Sequence, residues 1–309
     1  MEVLTRIPRA LARDPLEAEL ESAATQFSQA PVDRRPLEDV LDNGDLPDYD
    51  HPTYIFGDPM TVKDTDIIRA IGVNICGYPL HNSSSNHKSK NKLIRDLLRH
   101  AEADLLCTQE DNAYWPNFLT TQLPKERFRG WTRSLKVSSA YNQDSREADG
   151  PHLQGGCSIY AVDSLVHRRP STNHDPSLLG RWLSMQFTGH NNTRLRVFSA
   201  YCPCISSGDQ TVYAQQLQCL LGKKDDRCPR QAFWEDLAAD IQQYQLNGDQ
   251  ILLSGDFNTD ITSSAFLSWC SDLGLHNAIH SHHGPQGPPT HSRGPPKLTL
   301  SLFPIPYRL

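Results

Sequence analysis

The sequence predicts an α/β fold, a single large sandwich in which helices cover the outer faces of the β-sheets. Strand and helix patterns alternate in the first part of the chain, β-rich runs fill the middle, and helix and strand patterns alternate again near the end. Apolar residues make up 38% of the 309 residues, which is sufficient for such a core. No apolar run reaches the roughly 18 residues of a transmembrane helix, so the sequence predicts no such helix.

Residues 1–65 differ in composition from the rest of the chain. This segment contains seven prolines, 14 acidic and six basic residues, whereas residues 66–309 carry 22 acidic and 24 basic residues. Because it lacks the apolar residues of a core, we expect a disordered, acidic, proline-rich arm. The negative net charge of the protein belongs mainly to this arm and therefore says little about the partners of the remaining chain.

The folded region is predicted to begin at residue 66 with a strand, a helix and a second strand. Apolar residues at 67–75 form the first strand, which ends in the segment Asn-Ile-Cys-Gly at 74–77. Five apolar residues then fall on one face of a helix: Leu93, Ile94, Leu97, Leu98 and Ala101. A buried strand is predicted over residues 104–108, with Gln109 and Glu110 at its carboxyl end.

The later elements are predicted from β-branched and aromatic runs and from helical periodicity. Strands are expected over residues 155–162, 181–187, 194–201 and 250–254. Helices are expected over residues 210–221, 229–244 and 263–273, the second opened by Pro229 and the third stopped by Gly274. These elements complete the α/β pattern.

Polar side chains interrupt the apolar pattern at three strand ends. They are Asn74, the pair Gln109–Glu110, and Asp256 with Asn258. Because strand ends in α/β sheets converge in space, these side chains predict a site for Mg²⁺, which binds oxygen ligands and retains several waters. Each segment alone also has a structural explanation, as a turn after a strand or a strand end in solvent.

The order of the segments is more informative than any one of them. Five motifs follow one another: VNICG (73–77), LLCTQE (105–110), GGCSIY (155–160), RVFSAYCP (196–203) and LLSGDFN (252–258). This set resembles the endonuclease/exonuclease/phosphatase family, which includes deoxyribonuclease I, the abasic-site endonucleases and the endonuclease domains of non-LTR retrotransposons. The resemblance covers residues 66–294, and the stretch KKDDRCPRQAFWEDLAADI (223–241) is most similar to the retroelement-type domains.

The resemblance implies a four-layered α/β sandwich of the deoxyribonuclease I type with a metal-dependent phosphodiesterase site. At the matching positions, Glu110 and Asn74 would bind Mg²⁺, with Mn²⁺ as the alternative ion. Asp256 would align or deprotonate the attacking water, Asn258 would fix that aspartate or contact the phosphate, and Tyr201 would lie near the scissile phosphate. The implied function is a retroelement-type DNA endonuclease, with DNA as its substrate.

The sequence departs from the family pattern at two places. Cys76 stands where many members have an aspartate, and the stretch after residue 294, PPKLTLSLFPIPYRL, contains no Asp, Glu or His. The Asp-His pair of the family's last strands is therefore missing. We expect the last strands to be missing or altered, residues 295–309 to form an aberrant tail, and catalysis to be impaired by truncation. Two alternatives stay open: a non-catalytic pseudo-nuclease remnant, and a phosphatase or phosphodiesterase acting on a lipid or small molecule.

Three further patterns bear on partners and location. Basic runs at 88–99 and 127–136 are compatible with contact to a phosphate backbone or with a solvated helix face. The eight cysteines form no CxxC pair, and together with the lack of a secretory signal they predict reduced thiols in the nucleus or cytoplasm. Five histidines between residues 276 and 291 are interpreted as part of a solvated loop rather than as a zinc site.

Overall fold

The computed structural model of the protein describes residues 68–78, 94, 98–99, 101–127, 132–144, 150–168, 170–206, 208–278 and 300–302. The predicted acidic arm (1–65), the lysines at 88–92, most of the histidine cluster and most of the predicted tail (295–309) lie outside these residues. None of the helices in the described ranges is long and apolar enough to cross a membrane.

Four strands form the first sheet, which is mixed. They are β1 (Ala70–Asn74), β2 (Leu105–Gln109), β3 (Leu135–Ala140) and β4 (Cys157–Val162), in the spatial order β1-β2-β4-β3. Strands β1 and β2 are parallel, whereas β4 is antiparallel to both β2 and β3. Between β1 and β2, Ile94, Leu98 and Arg99 are helical, and the buried Ile94 and Leu98 pack against Leu106 and Tyr160 of this sheet.

Five strands form the second sheet, with neighbours in sequence order. They are β5 (Ser171–His174), β6 (Trp182–Thr188), β7 (Arg194–Tyr201), β8 (Gln250–Asp256) and β9 (Leu300–Leu302). Strands β7 and β8 are parallel, and the other neighbours are antiparallel. Strand β9 comes from the stretch that the sequence assigns to an aberrant tail, and it pairs with residues 253–255 of β8.

The described α-helices are α1 (Pro124–Arg127), α2 (Val212–Gly222), α3 (Pro229–Leu246) and α4 (Ser264–Asp272). Four 3₁₀ helices lie at Trp115–Asn117, Thr120–Gln122, Asp163–Arg168 and His190–Asn192. Helices α2 and α4 begin after Thr211 and Ser263, whose side chains each accept a backbone N–H of the first turn. Helix α3 begins with Pro229, which lacks the N–H that a first helical position leaves unpaired.

Three apolar layers make up the core. The first lies between the first sheet and the helical residues Ile94 and Leu98, the second lies between the two sheets, and the third lies between the second sheet and its helices. Side chains of β2 and β4 interdigitate with those of β6, β7 and β8 between the two sheets, in a cluster that includes Cys107, Ile159, Met185, Val197 and Leu252. Helices α3 and α4 cover the outer face of the second sheet with Phe233, Leu237, Ile241 and Phe266. The predicted α/β sandwich is therefore confirmed.

Besides β9, two further strands were not predicted from the sequence, and both lie at sheet edges. Strand β3 is half-buried over most of its length and β5 is largely exposed, because each has a neighbour on only one side. Their sequences, LKVSSA and STNH, contain few apolar residues. Hydrophobic periodicity detects buried strands, so exposed edge strands of this kind give little signal.

Candidate active site

The predicted site residues lie at the carboxyl ends of two pairs of parallel strands, one pair in each sheet. Asn74 at the end of β1 lies opposite Gln109 of β2, and Tyr201 at the end of β7 lies opposite Asp256 of β8. These strand ends are in contact with each other: Nδ2 of Asn74 donates a hydrogen bond of 2.7 Å to Oδ2 of Asp256. Residues from both sheets therefore contribute to one site.

Buried polar groups hold the two sheets together next to this contact. The hydroxyl of Ser199 donates to the carbonyl oxygen of Thr108 at 2.9 Å, and Nε2 of Gln109 donates to Oγ of Ser199 at 3.1 Å. All three residues are buried. Since buried polar groups are costly unless they are paired, this arrangement fixes the end of β2 relative to β7. Gln109 thus has a structural role beside the candidate site.

Glu110 lies in a turn immediately after β2. Its φ of +52° is in the left-handed region, which costs a non-glycine residue about 1–2 kcal/mol. Its carbonyl oxygen accepts a hydrogen bond of 2.7 Å from the backbone N–H of Gly77, which ties this turn to the loop after β1. The surrounding structure therefore imposes the conformation that orients the Glu110 side chain.

The carboxylate of Glu110 contacts the hydroxyl of Tyr201, which is almost completely buried. Burial is the main cause that raises the pKa of Tyr201, and the negative charge of Glu110 and the hydrogen bond with it raise this pKa further. The phenol is therefore neutral and donates to the carboxylate. The charge of Asp256 also raises the pKa of Tyr201, but less than the charge of Glu110 does.

The backbone after β8 is anchored by one glycine and one aromatic residue. A Cβ atom on Gly255 would lie 2.8 Å from the carbonyl oxygen of Ala200, so only glycine permits this approach of β8 to β7. Phe257 is buried and stacks on Trp234 of α3, with ring centroids 5.4 Å apart. The apolar contact of Phe257 fixes the position of its two polar neighbours.

Asn258 forms one hydrogen bond to Asp256 and one to Cys202. The backbone N–H of Asn258 donates to Oδ1 of Asp256 at 3.1 Å, and Nδ2 of Asn258 donates to the carbonyl oxygen of Cys202 at 2.8 Å. Asn258 has a φ of +47°, a conformation that asparagine adopts more readily than most residues. Each carboxylate oxygen of Asp256 thus accepts one bond from an amide.

Two residues near Glu110 were missed by the sequence reasoning. Asp111 is fully buried and accepts hydrogen bonds from Thr108, at 2.6 Å, and from the hydroxyl of Ser158. Burial raises the pKa of Asp111 to about 6, although these hydrogen bonds oppose the shift. Oδ1 of Asn112 accepts from the backbone N–H of Gly155 at 2.7 Å. The signal in the sequence was the continuation of the polar run, Gln-Glu-Asp-Asn, beyond the strand end.

The chemistry of the donor set fits a hard divalent cation. Across the described ranges, neither Glu110 nor Asp256 forms an ion pair with a Lys, Arg or His side chain. Oδ1 of Asn74 accepts one bond, from the N–H of Cys76 at 2.9 Å, and retains a lone pair. Within the same ranges, no group of three or more His, Cys, Asp or Glu side chains is arranged to hold a metal. Oxygen ligands that are few in number suit Mg²⁺, which keeps several waters.

Comparisons with known proteins show the family and the fold of the chain. The model of the endonuclease/exonuclease/phosphatase family matches residues 73–302. The catalytic domain of human Nocturnin, solved with a bound sulfate anion, has a TM-score of 0.50 at 16% identity, covering 76% of this chain and 81% of that chain. An AP endonuclease from Archaeoglobus fulgidus has a TM-score of 0.50 at 14% identity, covering 76% of this chain and 86% of that chain. None of the curated protein sequences matches significantly.

Proposed function

The chain belongs to the endonuclease/exonuclease/phosphatase family, and from this premise we propose that it is a divalent-metal-dependent phosphodiesterase that cleaves DNA. The observation that carries the proposal is the meeting of the two sheets through Asn74 and Asp256. The Tyr201–Glu110 contact adds a second link between the sheets at the same place. Neither Glu110 nor Asp256 has a cationic partner among the described residues, so both carboxylates remain available to a cation.

Glu110 and Asn74 are the residues that would hold Mg²⁺, or Mn²⁺. When bound, the ion would neutralise the negative charge that develops on the phosphate. Glu110 supplies a formal charge and Asn74 supplies a neutral amide oxygen. Because Nδ2 of Asn74 also donates to Asp256, the amide group that would offer its oxygen to the ion also orients the neighbouring carboxylate.

Asp256 is assigned to the attacking water. Each of its oxygens accepts one amide hydrogen bond, from Asn74 and from the backbone of Asn258, and each retains a lone pair that can accept a bond from water. Asn258 holds the carboxylate in place through its own bond to Cys202. Tyr201, neutral and buried beside Glu110, is assigned a position near the scissile phosphate.

The choice of DNA as substrate, and of a retroelement-type endonuclease, depends on the sequence of residues 223–241. This stretch resembles the retroelement-type domains and includes the first turns of α3. Trp234 in this helix packs directly on Phe257 of the candidate site. The segment that carries the resemblance is therefore in contact with the segment that carries the proposed chemistry.

The test is cleavage of supercoiled plasmid DNA by the purified chain with Mg²⁺, with Mn²⁺ and with EDTA. We expect weak nicking with either ion, because residues 295–309 supply no Asp or His to the site, none with EDTA, and loss of nicking in Glu110→Gln, which removes the charge but keeps the shape. The matched control is Glu102→Gln, because Glu102 is exposed and lies near the amino end of β2 rather than at its carboxyl end. Nicking that is equal in Glu110→Gln and the native chain would contradict the assignment.

A second assay, with p-nitrophenyl phosphate as substrate, separates the alternatives. Hydrolysis of p-nitrophenyl phosphate without cleavage of DNA would favour a phosphatase that acts on a lipid or small molecule. A folded chain that cleaves neither substrate would favour a non-catalytic pseudo-nuclease. Family membership alone does not decide between these outcomes, because substrate choice depends on the loops around a shared site.

A further inference from the structure

A buried arginine behind the candidate site contacts both of the segments that form it. Arg230 lies in the first turn of α3 and is only 5% exposed. Its Nη1 donates to the carbonyl oxygen of Pro203 at 2.9 Å, and its Nη2 donates to the carbonyl oxygen of Phe257 at 3.4 Å. Pro203 follows the end of β7 and Phe257 follows the end of β8, so one guanidinium bridges the two parallel strands beyond their ends.

The partners of Arg230 are unusual for a buried guanidinium. Arg181, which is buried to a similar degree, binds the carboxylates of Asp175 and Asp236. Arg230 forms no ion pair with any residue in the described ranges, and its buried Nε has no hydrogen-bond partner. Burial of a charge without an opposite charge is unfavourable for folding. Stability alone therefore gives a poor account of an arginine at this position.

The two carbonyls that Arg230 binds are adjacent to the groups that carry the proposed chemistry. The backbone N–H of Cys202 donates to the carbonyl oxygen of Asp256 at 2.9 Å, and the carbonyl oxygen of Cys202 accepts from Nδ2 of Asn258 at 2.8 Å. The guanidinium adds a further link across the same pair of segments. Burial raises the pKa of the Cys202 thiol to about 12, and the charge of Arg230 opposes this shift. The positive charge of Arg230 therefore acts on the segment after β7.

We propose that Arg230 is a positioning residue for the hydrolysis: its guanidinium holds the segment after β7 and the segment after β8 at a fixed separation. This keeps Asp256 and Asn258 oriented towards Tyr201 and the phosphate. The proposal rests on the proposed function, since it names a residue that supports the same site. The planar guanidinium of arginine carries N–H donors on separate nitrogens, which suits two separate carbonyl oxygens, whereas lysine carries all its donors on one nitrogen.

The test compares Arg230→Met, Arg230→Lys and the control Arg194→Met in DNA cleavage. Arg194 is 42% exposed at the amino end of β7 and contacts neither segment of the site. In Arg230→Met we expect kcat to fall up to about 100-fold with little change in KM, because a shift of about 1 Å in a catalytic group has an effect of this size. Arg230→Lys should retain an intermediate kcat, and Arg194→Met should retain the native kcat.

Added guanidinium ion distinguishes positioning from a general loss of structure. It should restore at least part of the kcat of Arg230→Met, because the ion can occupy the vacated space between the two carbonyls. It should not restore Asp256→Asn, which lacks the carboxylate itself. A native kcat in Arg230→Met, or a fall in kcat that guanidinium does not reverse in a variant that melts cooperatively, would overturn the proposal.

Hydrogen exchange provides a readout that does not need catalysis. In Arg230→Met, amide exchange at Cys202 should be faster than in the native chain, since this N–H bonds to the carbonyl oxygen of Asp256 across the two segments that Arg230 holds. If the native chain cleaves no DNA, the proposed function fails, but faster exchange would still support positioning by Arg230. Unchanged exchange would reject it. If Arg230→Met does not fold, Arg230→Lys carries the same comparison.

Discussion

The two ends of strands β7 and β8 carry charged residues in opposite arrangements. At the amino end, the buried carboxylate of Asp249 binds Nε of Arg194 at 2.9 Å and Nε of Arg196 at 2.7 Å. Nε2 of Gln186 donates to both carboxylate oxygens of Asp249 at 3.0 Å. The guanidinium of Arg196 also lies 3.6 Å above the ring of Tyr244. At this end the protein itself supplies the opposite charges.

At the carboxyl end, the charges are left without opposite partners among the described residues. Asp256 accepts from amides, Glu110 accepts from a phenol, and Arg230 donates to carbonyl oxygens. Four non-glycine residues near this end have a positive φ: Cys76, Glu110, Asn112 and Asn258. Backbone strain of this kind persists only where the surrounding structure imposes it, and it is common at functional sites.

The same types of charged residue therefore have different roles at the two ends of β7 and β8. Charges that are paired internally contribute to folding, and nothing further is needed to neutralise them. Charges that are held in place by neutral groups remain available to a cation and to a phosphate. We therefore expect substitutions at the two ends to affect different quantities, stability at one end and catalysis at the other.

The largest effect is expected for Asp256→Ala at the carboxyl end of β8. Loss of the carboxylate that orients water should lower kcat/KM for DNA cleavage by roughly a thousandfold, which corresponds to about 4 kcal/mol. The melting temperature should change little, because Asp256 is only partly buried and has no charged partner among the described residues. Steady-state kinetics and thermal unfolding measure the two quantities. An unchanged kcat/KM would show that this carboxylate has no catalytic role.

The second prediction applies the same substitution to Asp249, just before the amino end of β8. Asp249→Ala leaves Arg196 buried without its carboxylate, and breaking a buried pair in this way costs about 3–5 kcal/mol of stability. The kcat of the molecules that remain folded should equal that of the native chain. Urea unfolding together with active-site titration tests both statements. A lower kcat per folded molecule would mean that the two ends are coupled through β8.

Much of the fold could be predicted because its signals are local. The apolar run of β8 and the helical period of α3 each identify a buried element from neighbouring residues alone. Strands β3 and β5 gave no such signal, because they are edge strands with few apolar residues. Strand β9 depends on pairing with β8, more than 40 residues earlier in the chain, and periodicity carries no information about such a partner.

For the candidate site, the sequence indicated residue types at strand ends but not the contacts between them. Asn74, Glu110 and Asp256 interrupt apolar patterns at strand ends, so the sequence marks them. The hydrogen bond between Asn74 and Asp256 joins residues 182 positions apart, and it became visible only when the two sheets were packed together. Arg230 gave no signal at all, since an arginine in the first turn of a helix is usually a solvated residue and its burial depends on tertiary structure.

The smallest effect concerns a carboxyl group outside the site, Asp240 on α3. Burial is the main cause that raises the pKa of Asp240. The charge of Asp175 adds to the shift, whereas the hydrogen bond from Nε1 of Trp182 and the charges of Arg196 and Arg181 oppose it. When the folded pKa of a carboxyl group is higher than the unfolded pKa, ionisation costs more in the folded state. Its contribution to stability therefore falls as the pH rises from the unfolded pKa of about 3.9 through the folded pKa.

Asp240→Asn should remove this dependence while an amide oxygen still accepts from Trp182. The free energy of unfolding of the native chain, relative to that of Asp240→Asn, should therefore decrease as the pH is raised from about 4 to about 7. Urea unfolding at several pH values measures the difference, with Asp272→Asn, an exposed position on α4, as the control. The kcat of Asp240→Asn should equal that of the native chain, because Asp240 lies outside the candidate site. A difference that increases with pH would reverse the sign of the argument and show that the arginines, rather than burial, control this carboxyl group.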